Sequence, residues 1–278
     1  MIALRSLRRA VALGLLAGVL AAGAAMADDA PAPPHEGKLV TIPTRAGVTQ
    51  DFLLVQPAAG PPAAAVVLFA GGDGDLHLAD RGPGTKSTNF LVRSRYLFAD
   101  AGFLVAVPDT PSDHRSGYGK SFRGSEEHAA DIAALIAYLR TQAGVPVWLI
   151  GTSMGTLSAA KGALLSADGP DGLVLTSSIT RHTRQTILTV PDLSLAKIRI
   201  PTLVVAHRED ACGSTPASGA QEIATRLTAA RKVEVKLFDG GSTPEGDPCE
   251  PISRHGYIGI EPEVVAAIAA WIKASAPH

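Results

Sequence analysis

The stretch Pro146-Val-Trp-Leu-Ile150 runs directly into Gly151-Thr-Ser153-Met-Gly155 and then into Leu157-Ser-Ala-Ala160. An apolar run with β-branched residues reads as a buried strand, and the small residues after the second glycine read as a closely packed helix. Between them lies G-x-S-x-G. A sharp strand-to-helix turn lifts the serine side chain clear of the sheet, and neighbouring chains crowd the turn so closely that both flanking positions must be glycine. The helix N-terminus adds free backbone N–H groups and a partial positive charge beside Ser153. The pentapeptide alone arises by chance, and a tight β–α turn with a capping serine is the plain alternative. The strand before and the helix after make Ser153 a candidate nucleophile.

Working outward, Lys38–Pro43 and Asp51–Gln56 read as a hairpin joined by a turn at Arg45–Gly47. Ala64–Ala70 is a continuous apolar run, as in a strand covered on both faces. The pattern predicts a helix near Asn89–Ala101, a strand Phe103–Val107 and an amphipathic helix Glu126–Thr141, in which Ile132, Leu135, Ile136 and Leu139 share one face. Strand Val145–Ile150, helix Met154–Ser166, strands Leu173–Thr176 and Thr202–Ala206, helix Ser218–Ala230, strand Val233–Phe238 and helix Pro262–Ala274 complete the chain. An opening hairpin followed by repeated β–α units predicts an α/β domain with a mostly parallel central sheet and helices on both faces.

In element order and motif positions, residues 38–275 resemble the α/β-hydrolase family, in its compact, capless bacterial form. The resemblance implies the chain order nucleophile, acid, histidine. A serine hydroxyl needs a base to take its proton, and the base needs an orienting acid. His255 lies in a loop just before the last helix, where the family carries its base; His182 and His207 come too early and His278 is the last residue. The family commonly shows H-x-x-D after the strand matching Thr202–Ala206, and His207-Arg-Glu-Asp210 fits. Asp210 is the expected acid and Glu209 the alternative carboxylate. No carboxylate directly follows Leu173–Thr176, where some members carry the acid.

The resemblance also implies two backbone donors for an oxyanion. One is the N–H of Met154; the other comes from Gly71-Gly-Asp-Gly74, at Gly72 or Asp73. Ala70 stands where the family usually has histidine, which leaves the second donor open. The glycine-rich loop Gly71–Ser87 is expected at the pocket mouth. A second long loop, Pro108–Gly124, offers Asp113, His114 and Tyr118 as candidate substrate contacts at the ligand-binding edge of the sheet. Only about 25 residues separate Thr176 from Thr202, room for a small flap rather than a cap domain.

Two cysteines in an exported chain argue for one disulfide, Cys212–Cys249. It would tie the acid loop to the histidine loop. Export is expected from the N-terminus. Arg5, Arg8 and Arg9 precede an uncharged run, Ala10–Ala25, and Ala25-Met-Ala27 places small residues for cleavage before Asp28. That run, about 16 residues, falls short of the roughly 20 of a membrane span. The expected organisation is a signal peptide over 1–27, with an uncleaved N-terminal anchor as the alternative, a flexible Pro- and Ala-rich leader over 28–37, and one domain over 38–278, periplasmic or secreted and without stable membrane insertion after signal cleavage.

Net charge is −1, from 25 basic and 26 acidic residues, which gives no footprint for nucleic acid. Gly117-Tyr-Gly-Lys-Ser121 ends like a phosphate loop, but His114 stands where the first glycine belongs. Asp73-Gly-Asp75 lacks the remaining ligands of a calcium loop. No cofactor or metal is expected. The expected activity is hydrolysis of a small carboxylic ester through Ser153, His255 and Asp210. A peptidase, a thioesterase or a noncatalytic binding protein are the alternatives, and substrate and oligomeric state stay open.

Overall fold

The computed structural model describes residues 37–81, 87–119, 121–165 and 168–276; the expected signal peptide and most of the leader lie outside them. Eight strands form one sheet: β1 (Gly37–Arg45), β2 (Val48–Val55), β3 (Ala64–Phe69), β4 (Phe103–Pro111), β5 (Val147–Thr152), β6 (Gly172–Thr176), β7 (Thr202–His207) and β8 (Val233–Phe238). Their order is β1-β2-β4-β3-β5-β6-β7-β8. β1 pairs antiparallel with β2, and β2 with β4; all other pairings are parallel. The chain leaves β3 toward β4 and returns across it to β5. The C-terminal ends of β3 and β5 therefore flank a topological switch point, the crevice where open α/β sheets bind ligands.

Strand side chains alternate between two apolar layers. Val66, Leu68, Trp148, Ile150, Val174 and Val205 face a core shared with Phe98 and with Val264, Ile268 and Ile272. Val67, Phe69, Leu149, Leu173 and Val204 face a second core with Ile132, Leu135, Ile136, Leu157 and Ile223. The helices supplying these residues are α3 (Arg95–Asp100) and α7 (Glu261–Ser275) on one face, and α4 (Glu126–Ala143), α5 (Gly155–Gly162) and α6 (Ser218–Arg226) on the other. Two shorter helices are α1 (Leu78–Arg81), inside the glycine-rich loop, and α2 (Phe90–Arg93). α4 starts on Ser125, whose side chain accepts from the His128 N–H, and ends on Gly144 at φ 63°.

The expected helix Asn89–Ala101 is broken at Ser94, whose backbone N–H returns to Phe90 O and closes α2 before α3 begins. α5 and α6 stop short of the expected Ser166 and Ala230. β4 runs four residues past the expected Val107 because β2 continues to pair with it, Phe52 against Pro108 and Gln50 against Pro111. Between β6 and β7 the chain makes two 3-10 turns, Val190–Asp192 and Leu195–Lys197, and no cap domain. No helix among the described residues is long and apolar enough to cross a membrane.

Candidate active site

Ser153 stands at the end of β5 with φ 52°, a left-handed conformation that is strained for a residue with a Cβ. The turn is held on both sides. Its N–H donates to Thr176 O at 3.1 Å, and its carbonyl accepts from Thr156 N–H at 3.0 Å and Thr156 Oγ1 at 2.6 Å. A Cβ on Gly151 would lie 2.3 Å from Gly155 O, and one on Gly155 would lie 2.1 Å from Phe69 O. Met154 follows Ser153 and opens α5.

His255 sits in a short 3-10 turn, Arg254–Gly256. Its Nδ1 is 3.0 Å from Asp210 Oδ2, and the Asp210 side chain is 0% exposed. With the proton on Nδ1, the bond to the carboxylate orients the ring and leaves Nε2 as an acceptor. Asp210 is held further by Cys212 N–H, which donates to Oδ1 at 2.9 Å, and by Thr215 Oγ1, 2.9 Å from Oδ2. Glu209 makes no such contact; its side chain is 67% exposed and lies 3.5 Å from Arg254 Nε. The disulfide Cys212–Cys249 is formed, with Cα atoms 4.6 Å apart.

The backbone of the histidine turn is fixed from inside. Ser177 Oγ donates to His255 O at 2.8 Å. Tyr257, fully buried, accepts from Ser177 N–H at 3.1 Å and donates to Val205 O at 3.2 Å through its hydroxyl. Ser253 Oγ accepts from His255 N–H at 3.1 Å. Ser177 and Tyr257 carry no sequence signal of this use, because each meets its partners only after distant segments are folded together.

Ser153 and His255 line one cavity of about 260 Å³, walled by Gly71, Gly72, Asn89 and Phe90 on one side and by Cys249, Glu250 and Pro251 on the other. A Cβ on Gly71 would lie 2.9 Å from Ser153 Cβ, so the loop after β3 lies against the serine. Gly72 is left-handed at φ 59°.

Asp113, His114 and Tyr118 gather elsewhere. They line a second cavity of about 830 Å³ with Arg45, Phe122 and Ile187, and none of them lines the Ser153 cavity. Both Asp113 oxygens accept from Arg45, at 2.9 and 3.0 Å, and the Arg45 bonds pull the Asp113 pKa down to about 2. The same guanidinium reaches Asp131 on α4 at 2.8 Å. His114 stacks on Phe122 with centroids 3.7 Å apart. Tyr118 is buried and donates to Asp109 O at 3.1 Å. These contacts brace the loop.

No protein-family profile matches the sequence, and no curated protein matches it. Solved structures do. The chain is similar to Est1E from Butyrivibrio proteoclasticus, with TM-score 0.59, 14% identity, and coverage of 86% of this chain and 98% of that one. A dienelactone hydrolase from Anabaena variabilis aligns with TM-score 0.57 and 16% identity over 87% of this chain and 100% of its own. The fold is that of the α/β-hydrolases. An acylaminoacyl peptidase from Pyrococcus horikoshii shares it, with TM-score 0.60 and 12% identity over 87% of this chain but 42% of the larger enzyme. At such identities the likeness establishes the α/β-hydrolase fold alone.

Proposed function

We propose that this protein is an exported serine hydrolase that cleaves a small carboxylic ester, with Ser153 as nucleophile, His255 as general base and Asp210 as orienting acid. The observation that carries the reading is the buried Asp210–His255 pair opening onto the same cavity as a serine in left-handed backbone. Ser153 Oγ attacks the carbonyl carbon as His255 Nε2 takes its proton. The oxyanion is met by the Met154 N–H and by a donor from Gly72 or Asp73. Collapse breaks the ester bond, and the alcohol leaves with the proton from His255. Water then repeats the sequence on the acyl-enzyme, with His255 again as base, and releases the acid. A cavity of about 260 Å³ favours short acyl chains. The Cys212–Cys249 bond supports an oxidising compartment.

The test is turnover of p-nitrophenyl acetate and butyrate by the purified oxidised protein beside Ser153→Ala. Wild-type turnover that drops by on the order of 10⁴-fold or more in the variant is expected for loss of a triad nucleophile. Equal rates in the two proteins would refute the assignment.

A further inference from the structure

A buried arginine lies beneath the loop that follows β3. Arg123, in the 3-10 turn Phe122–Gly124, is 2% exposed. Its Nη2 donates to the carbonyls of Ala70 at 3.0 Å and Gly72 at 3.1 Å, and its Nη1 to Ser158 Oγ on α5 at 2.6 Å. The guanidinium stacks over the Tyr118 ring, 4.3 Å from its centroid. Gly74, at φ 78°, passes so close that a Cβ there would lie 2.5 Å from that ring and 2.6 Å from Arg123 Nη2.

None of the three hydrogen-bond partners is a carboxylate. A guanidinium taken out of water without a bonded counter-ion is destabilising. Burial pulls the Arg123 pKa down to about 10, which still leaves it charged at neutral pH. Such a group is poorly explained by stability, and its grip falls on two alternate carbonyls of one loop.

We propose that Arg123 is a positioning residue that holds the oxyanion loop and selects the Asp73 N–H as the second donor. In a trans peptide the carbonyl and the following N–H point to opposite sides. With Gly72 O turned onto Arg123, the Asp73 N–H of the same peptide is turned away from that guanidinium, on a loop that lies against Ser153 through Gly71. The left-handed φ of Gly72 permits this turn. The Asp73 side chain is directed at Gly117, whose Cβ would lie 2.8 Å from Asp73 Cβ, so the carboxylate packs against the neighbouring loop. The buried positive charge beneath the loop also favours negative charge developing above it. The proposal rests on Ser153 being the nucleophile.

The test compares wild type, Ser153→Ala, Arg123→Met and Arg123→Lys. Three quantities are read: fluorophosphonate labelling rate at Ser153, ester kcat and KM, and inhibition by phenylboronic acid, which mimics the tetrahedral state. Arg123→Met is expected to lower labelling rate and kcat by about 10²-fold, weaken the boronic acid by a similar factor and leave KM within about twofold, because only transition-state contacts change. Arg123→Lys keeps the charge but not the two-carbonyl grip; a smaller loss with the same split is expected. It carries the test if circular dichroism shows Arg123→Met unfolded. A folded variant with wild-type labelling, or one that loses kcat with unchanged boronic acid affinity, overturns the Arg123 assignment alone. A wild type in which Ser153 takes no label overturns the parent reading instead.

Discussion

A methyl group added at Gly155 would lie 2.1 Å from Phe69 O and 2.7 Å from Ala70 O. Both are backbone atoms at the end of β3, so no rotamer change relieves the clash. Gly155→Ala is expected to destabilise by about 3 kcal/mol or more, whereas Gly213→Ala, with open space around it, stays within about 0.5 kcal/mol. Urea denaturation of the two variants checks this; equal midpoints would mean that the turn is looser than its contacts imply. The elbow is legible in the sequence because the residues this crowding constrains, Gly151 to Gly155, lie within five positions of one another, although β3 supplies part of the crowding. The geometry around His255 was less legible. H-x-x-D points to Asp210, but what separates Asp210 from Glu209 is its burial and its bond to His255, neither of which the sequence shows. Thr215 Oγ1, 3.0 Å from His255 Nδ1, and Ser177 approach His255 across 40 and 78 residues of chain, and no local pattern marks such contacts. Loop position alone suggests Asp113, His114 and Tyr118 as candidate substrate contacts; their bonds and stacking to Arg45, Phe122 and Asp109 arise from the folded loop and have no local pattern.

At the scale of elements, strands came through best because burial on both faces writes them as unbroken apolar runs. Helix ends came through worst. The break at Ser94, where the cap N–H closes α2 onto Phe90 O, costs the sequence no change in periodicity. The extension of β4 depends on its neighbour β2. The loops carrying Asp210 and His255 are joined by the Cys212–Cys249 bond, whose one end donates a backbone N–H to Asp210 and whose other end lines the Ser153 cavity. Removing it frees a closed loop of separation 37 in the unfolded chain, which amounts to about 3–4 kcal/mol in the chain-entropy account. Cys212→Ala/Cys249→Ala is therefore expected to melt well below the oxidised wild type and to turn over ester more slowly, as Asp210 loses its fixed N–H partner. Dithiothreitol should bring the wild type down to the variant and leave the variant unmoved. A reduced wild type that keeps its full melting temperature would show that the bond constrains nothing the fold does not already hold.

For the molecule as a whole, packing places the ionisable ring of His128 where water does not reach it. His128 is 0% exposed, neither ring nitrogen has a partner among the described residues, and its ring packs against Phe69, Tyr118 and Phe122. Burial first, then the charges of Arg123 and Arg45, hold its pKa well below 6.5. The folded protein therefore keeps this histidine neutral at a pH where the unfolded chain protonates it. Below the unfolded value of 6.5 the unfolded state binds the extra proton, so the stability associated with a neutral His128 is present above that pH and is lost as pH falls. The slope approaches about 1.4 kcal/mol per pH unit and continues until the folded-state pKa is reached. His128→Phe fills the same aromatic pocket without a titrating group and removes two unpaired buried nitrogens, so it is expected to be as stable as wild type or more so at pH 7.5. Unfolding free energies between pH 7.5 and 5.5, above the range of most carboxylates, isolate the effect. The wild type should lose stability across that window by more than the variant does, the difference growing toward low pH; parallel curves would mean that His128 takes up its proton in the folded state as readily as in the unfolded chain.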